Sequence, residues 1–250
     1  MPRHVIRPGD TIKTIVKKYN ANTNNLAIAN THLENLENLN PGDVVYIPAA
    51  SDGTYNFLET KNLKSSLRTM MGFSVRQIQE HYKLYQDYVI KINEIRAKLQ
   101  ALKQKEADSI YSEYRALKTA ELYAVNNCKL HEYYFENMGG RGGNATGNVL
   151  EVIVRDFGSY EYWEKDFRAT CLMARNWAIL GYDFDDGHLH NYGYDEDAGL
   201  AVRIEPLLVV DLAEHAYFLD YGTNRTSYLD AFAKNIDWAV VKSRFTNIKI

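Results

Sequence analysis

Apolar residues recur at helical spacing through the middle of the chain, shorten to unbroken runs towards its end, and form a small separate pattern in front. From Ser74 the series Ile78, His81, Tyr85, Tyr88, Val89, Ile92, Ile95, Leu99 and Leu102 keeps the i+3 and i+4 intervals of one helical face. A second series, Ile110, Tyr114, Leu117, Leu122, Val125, Leu130 and Tyr134, predicts another helix over about Lys105–Asn137. Together they predict a long antiparallel helical hairpin, which the glycine-rich stretch Gly139–Gly143 brings to a stop. Two shorter helices follow, Asn148–Asp156 and Tyr160–Leu172, then three strand candidates: Asn176–Phe184, His188–Tyr194 and Leu207–Val210. Asp185-Asp186-Gly187 is a hairpin turn between the first two strands. One further helix is expected to carry Tyr228, Phe232, Ile236 and Trp238.

The first fifty residues read as a unit of their own. His4-Val5-Ile6 is a short strand, and Asp10 or Thr11 caps a helix with Ile12, Ile15 and Val16 inward, ending near Tyr19. A second helix carries Leu26, Ile28 and Ala29 up to Asn30. Asn40-Pro41-Gly42-Asp43 then turns the chain into the strand Val44–Pro48. Residues 50–73 mix polar and scattered apolar residues and read as a linker. The fold class expected is α+β: a small βααβ module over 1–49, a helical hairpin over 74–142, and a mixed α/β unit over 143–250.

Composition narrows the function classes. With 250 residues, 46% hydrophobic and 24% charged, the chain can bury a sizeable core. A formal net charge of −3 argues against a nucleic-acid or anionic-membrane binder. No apolar run approaches the roughly 20 residues of a membrane span. No apolar signal core precedes the first strand, which predicts synthesis in the cytoplasm without a signal peptide. Cys128 and Cys171 are the two cysteines, too few for a disulfide framework, and both read as buried thiols. Tyrosine is over-represented, at 19 residues.

Candidate chemistry concentrates in Pro206–Tyr221. An apolar strand runs into Asp211, and His215 follows four residues later, where the strand turns into a helix. Carboxylate and imidazole at that spacing can point at one cation, and the donor mix suits iron, manganese or zinc. The same residues also read as an N-cap Asp and a partly buried His. His188 and His190 share one face of a strand and could hold a metal, but an exposed hairpin edge explains them better. Gly139–Gly143 has neither the lysine nor the preceding strand of a phosphate loop and reads as a helix end with a flexible turn.

The motif Asp211-x-x-Glu214-His215-Ala216-Tyr217, followed by Tyr221, Arg225, Tyr228 and Ala231 at set intervals and by Asp237-Trp238, resembles the C-terminal signature of the iron/manganese superoxide dismutases. Resemblance covers about 74–245. It implies one iron or manganese ion per subunit, held by a His on each hairpin helix and by Asp211 and His215. Asn127-Cys128-Lys129-Leu130-His131-Glu132-Tyr133-Tyr134-Phe135 matches the second-helix motif, which makes His131 a ligand. On the first helix, anchoring on Tyr88-Val89 puts Glu80 in the ligand place, with His81 as the alternative. The same register sets Leu84 and Phe218 where the family has a polar pair across its dimer. Tyr88 takes the position of the gateway tyrosine. Glu214 matches an interface carboxylate that reaches the partner's ligand His, which implies a homodimer. Asn127 and Glu196 are candidates for the missing glutamine beside the metal, and Trp177 remains of the aromatic wall, while Ala213 replaces another tryptophan.

The first module is similar to LysM, a binder of N-acetylglucosamine polymers such as peptidoglycan. The matching residues are Pro8-Gly9-Asp10-Thr11, Lys17-Lys18-Tyr19, Ala29-Asn30 and the run from Leu39 to Pro48. A groove lined by Gly9, Asp10, Thr11, Ile12, Asn30, Thr31 and His32 is implied. Resemblance to signal-less LysM proteins of spore-forming bacteria points to spore cortex or cell wall as the location. Two functions follow as expectations. One is a LysM-tethered dismutase that converts superoxide to dioxygen and hydrogen peroxide. The other is an envelope or spore-layer structural protein that keeps the fold, suggested by the altered first-helix ligand, the missing glutamine and the lost tryptophan.

Overall fold

A computed structural model describes residues 3–19, 21, 23–30, 33, 35–47, 58–102, 110–195 and 201–248. The chain forms two compact units, Met1–Thr60 with Gln86–Asn127, and Lys61–Tyr85 with Cys128–Ile250.

In the first unit, β1 (Arg3–Val5) pairs antiparallel with β2 (Val44–Tyr46), and α1 (Ile12–Tyr19) and α2 (Thr23–Ala29) lie between them in sequence. Ile6, Ile15, Ala21, Leu26, Val45 and Ile47 form the core of this βααβ module. Gly9 and Gly42 take left-handed φ values of 92° and 100° at its two turns, where a Cβ would be strained. The buried Asn30 amide bonds the Tyr46 amide and carbonyl (2.7 and 2.8 Å), so a side chain stands in for a neighbouring strand. This unit also holds the outer turns of two long helices, α3 (Val75–Ala101) and α4 (Glu113–Glu136), joined there by the Arg96–Glu121 pair at 3.0 Å.

In the second unit, the Tyr85 hydroxyl of α3 donates to Glu132 of α4 at 3.1 Å. Residues 85 and 96 thus meet 132 and 121 in reverse order, the antiparallel hairpin expected. Within the predicted linker, Ser65–Thr69 is a 3₁₀ turn with Leu67 buried. Next come α5 (Asn148–Phe157), α6 (Tyr160–Met173) and an antiparallel sheet in the order β4-β3-β5, made of β3 (Trp177–Asp183), β4 (Leu189–Tyr194) and β5 (Ile204–Asp211). Trp177–Tyr182 are all buried, which explains an apolar run without alternation: both faces of the central strand are covered.

Two expectations are corrected. The last helix is interrupted. A 3₁₀ turn (Glu214–Ala216) and α7 (Phe218–Tyr221) lead to α8 (Arg225–Lys234) and then α9 (Trp238–Thr246). Asn235 ends α8, because its amide bonds Ala231 and both backbone groups of Met71. The glycine stretch is a close crossing rather than a flexible turn. The Gly140 amide donates to Asn235 and the Gly142 amide to Ile236 (3.0 and 3.1 Å), and a Cβ on Gly140 would sit 2.4 Å from the Asp237 backbone. No helix among the described residues is long and apolar enough to cross a membrane.

Candidate metal centre

Four side chains from four places in the second unit converge: His81 on α3, His131 on α4, Asp211 at the end of β5 and His215 in the 3₁₀ turn. Their ligand atoms all lie within 4.8 Å of one another. Asp211 is the hub. Its Oδ2 is 2.9 Å from His81 Nε2, 3.0 Å from His215 Nε2 and 3.5 Å from His131 Nε2, while Oδ1 accepts the Ala213 amide at 3.0 Å. His81, His131 and Asp211 are fully buried, and the His215 side chain keeps 37% exposure.

Helical spacing places the first two. Gln77, Ile78, His81, Tyr85, Val89 and Ile92 make the buried face of α3, so His81 turns inward with its i+4 neighbours. Glu80 is one step round the helix, half-exposed and paired with Lys83 at 2.9 Å. Of the two first-helix candidates His81 thus lies in the cluster and Glu80 outside it, one residue on from the register that favoured Glu80. The same shift puts Tyr85, not Leu84, one turn beyond the ligand position. Tyr85 accepts the Lys61 amide at 2.9 Å in addition to its bond to Glu132.

Electrostatics favour a ligand set. Burial alone would raise the Asp211 carboxyl, but His215 and His81 outweigh it and hold the group well below the usual carboxylate range. Burial pushes the His81 imidazole down, against the pull of Asp211, which keeps it neutral with a lone pair to offer. Ligands about 2.1 Å from one ion, at angles of 90–120°, stand about 3.0–3.6 Å apart. The Asp211–imidazole separations are of that size. An ionised carboxylate buried among imidazoles costs several kcal/mol unless compensated, and one cation at their focus would supply the compensation. The residues present therefore fit a metal ion, and their mix of imidazole and carboxylate suits iron, manganese or zinc.

Aromatic rings wall the cluster. The Trp177 ring stands edge-on to His131 at 5.0 Å, and Tyr134 and Phe135 each lie 5.0 Å from His81. The backbone of the Asp211 arm is tied down as well. Tyr228 donates to the Asp211 carbonyl at 2.6 Å, Arg225 bonds the Leu212 and Ala174 carbonyls, and Asn137 bonds both backbone groups of Val209. Spacing pointed to Arg225 and Tyr228 only through the family motif. Gln77 and Asn137 carried no sequence signal of a role here, since a buried polar side chain and a core residue share one periodicity.

Other predicted residues lie elsewhere. Tyr88 is two turns along α3 from His81, its ring edge-on to Tyr123 at 6.1 Å. Asn127 donates to the Tyr123 carbonyl of its own helix at 2.9 Å. Glu214 is exposed beside His215. Glu196, Thr31 and His32 lie outside the described residues. In the first module Gly9 and Thr11 are exposed, and Asp10 and Ile12 are half-buried. Asp10 accepts from His4 and from the Arg7 amide (2.8 and 2.9 Å). Asn30 is 1% exposed and spent on the backbone, so its side chain holds the fold and does not face a groove. Asp183, Asp186 and His190 form a second, more exposed group at the β3–β4 turn. Its Asp183 and Asp186 accept the Asp185 and His188 amides (2.8 Å each), the ordinary work of Asp in a turn.

Comparison with known proteins places both parts. Residues 145–244 match the family "Iron/manganese superoxide dismutases, C-terminal domain", and residues 4–48 match "LysM domain". The iron superoxide dismutase of Aquifex aeolicus is 37% identical over 184 residues, which is 71% of this chain and 86% of the relative. That of Cupriavidus metallidurans is 35% identical over 191 residues, 75% of this chain and 95% of the relative. A manganese superoxide dismutase of Halobacterium salinarum is 38% identical over 118 residues, 46% of this chain and 59% of the relative.

Proposed function

We propose that this chain, which belongs to the iron/manganese superoxide dismutase family, dismutates superoxide at the His81–His131–Asp211–His215 cluster and is tethered to a glycan by its LysM domain. The convergence of three imidazoles on one buried carboxylate oxygen carries this reading. When bound, one iron or manganese ion per subunit would supply a divalent–trivalent couple, able to take an electron from one superoxide to give dioxygen and to pass it, with two protons from solvent, to the next to give hydrogen peroxide. The chain's own residues prepare that chemistry. Asp211 stays ionised and His81 neutral, while Asp211 outweighs burial and raises the His215 imidazole, so ion binding would compete with a proton at His215 and not at the other two. Trp177, Tyr134 and Phe135 keep bulk water off the inner ligands. Tyr228 and Arg225 hold the Asp211–Leu212 backbone, so the carboxylate keeps its aim.

His215 is the one ligand with a partly exposed side chain, and Glu214 beside it is exposed in a single chain. Both would be covered in a homodimer, with Glu214 of one copy reaching the other's His215. Exposed Phe218 and Leu219 next to them add apolar surface to the same face. For the first module, exposed Gly9 and Thr11 with Ile12 offer the lip of a groove for an N-acetylglucosamine polymer, peptidoglycan or spore cortex. That polymer would place the enzyme at a wall. The altered first-helix ligand, one ground for a purely structural role, weighs less because His81 lies in the cluster while Glu80 pairs with Lys83.

The test is one preparation, stripped of metal and reloaded with iron or with manganese, assayed for metal content, superoxide consumption and mass in sedimentation. Near one ion per chain, fast turnover with one of the metals, and about twice 28.8 kDa are expected. Stoichiometric metal without turnover would sink the dismutase reading, and a 28.8 kDa species would sink the dimer.

A further inference from the structure

Three of the four cluster residues ride on long regular elements, whose backbone ladders fix their direction: α3, α4 and β5. His215 does not. It sits in a three-residue 3₁₀ turn, Glu214–Ala216, followed by the four-residue α7. Turns of this kind have poorer hydrogen-bond geometry and little stiffness of their own. Its imidazole is also the least buried of the four. Some contact from outside the turn has to hold it.

That contact is a side-chain amide. Gln77 is fully buried on α3, its own amide capped by the Ser74 hydroxyl at 3.0 Å. Its Nε2 donates to the carbonyl of His215 at 2.7 Å, and its Oε1 accepts the amide of Leu219 at 3.0 Å. One side chain therefore spans the segment from the ligand residue to α7. Gln77 also lies one helical turn before His81, on the same face of the same helix. The tether is thus referred to the His81 backbone, and it sets the separation of two rings whose centroids stand 5.2 Å apart. Neighbouring bonds join the same two segments without touching His215: the Ser74 amide donates to Asp220 at 2.7 Å, and Tyr221 donates to the Gly72 carbonyl.

We propose that Gln77 is a positioning residue of the metal centre, which holds the backbone of His215 at a set distance from His81 and so governs how firmly the ion is kept. The proposal rests on the metal-centre reading above. Its logic is that of an outer hydrogen bond which orients a ligand, whose loss typically lowers metal affinity 10–100-fold. Gln77→Met keeps the length of the side chain and removes both bonds, leaving the His215 carbonyl and the Leu219 amide without them. Asp220→Asn weakens the adjacent tie and leaves the Gln77 pair intact, so it reports what general loosening alone does.

The experiment uses full-length protein loaded with manganese, transferred into a chelator, with release followed over time and the EPR spectrum of the bound divalent ion recorded. Gln77→Met should release manganese about 10-fold faster or more, with an altered EPR spectrum. Asp220→Asn should match wild type in both, whatever it costs in Tm. Equal release and an unchanged spectrum in Gln77→Met would overturn the role of Gln77 alone. A wild-type protein that retains neither manganese nor iron would overturn the metal centre, and the proposal with it. If Gln77→Met does not fold, the wild type carries the test. Coupling is reciprocal, so manganese should slow hydrogen exchange at the Leu219 amide, and exchange that ignores the ion would reject the tether.

Discussion

Glu80 and His81 are adjacent on α3, and one peptide step separates an exposed ion pair from the centre of the cluster. Resemblance to a motif with its own spacing favoured the carboxylate; the buried face of the helix selects the imidazole, because a side chain can enter the core only from the inward third of the helix. The consequence is measurable by substitution at each position. His81→Gln should lose metal and turnover by at least the roughly 10–100-fold that outer partners alone produce. Glu80→Gln removes an exposed pair worth about 0–1 kcal/mol and should leave both unchanged. A reversed result, measured as bound metal per chain, would return the ligand role to Glu80. His131, Asp211 and His215, which the motifs singled out, lie in the same cluster.

Between elements, polar side chains settle what periodicity leaves open. Asp156 at the end of α5 accepts from His188 and from the Leu189 amide (2.8 and 2.7 Å), and so fastens that helix to the β3–β4 hairpin. Burial would raise its carboxyl, but the bonds from Arg155, Leu189 and His188 outweigh burial and hold it below the usual range. A depressed folded-state value stabilises the protein above the unfolded pKa of about 3.9, and that stability is lost as pH falls through the folded value. Asp156→Asn should therefore cost about 1–2 kcal/mol near pH 7 through weakened hydrogen bonds. It should also flatten the fall of Tm with acid below about pH 4. A mutant whose Tm stays parallel to wild type across that window would show that the charge contributes nothing. The break at Asn235 has a similar origin. An amide that bonds Met71 across the unit outweighs a helical pattern that ran on to Trp238.

At the scale of the whole chain, the two matched regions answer to different demands. The LysM domain is small, and among the described residues its core is six buried side chains. At about 0.05–0.15 kcal/mol per residue, a module of that size holds only a few kcal/mol of stability. Removing a buried Ile side chain costs about 2–5 kcal/mol, so Ile15→Ala should unfold it. The full-length variant is expected to lose retention on isolated peptidoglycan while it keeps its metal and superoxide turnover. Retention at the wild-type level by a demonstrably unfolded module would locate glycan binding elsewhere. The pairing of His4 with Asp10 and the spending of Asn30 on Tyr46 leave fewer groove contacts than the motif suggested. Recognition would then fall on Gly9, Thr11 and Ile12.

By itself the amino-acid order determined the sequence of elements, the turn glycines at Gly9 and Gly42, and three of the four residues that meet in the cluster. Each of these rests on local periodicity or on a short motif. Tertiary structure decided the rest. It turned His81 and not Glu80 into the cluster, ended the last helix at Asn235 through Met71, made the glycine stretch a backbone crossing, and bonded Asn30 to Tyr46. It also brought Gln77 to His215, 138 positions away. A side chain's partner across the fold leaves no trace in its own neighbourhood of the chain. A buried amide bonded to distant backbone and one facing water can therefore occupy identical sequence patterns.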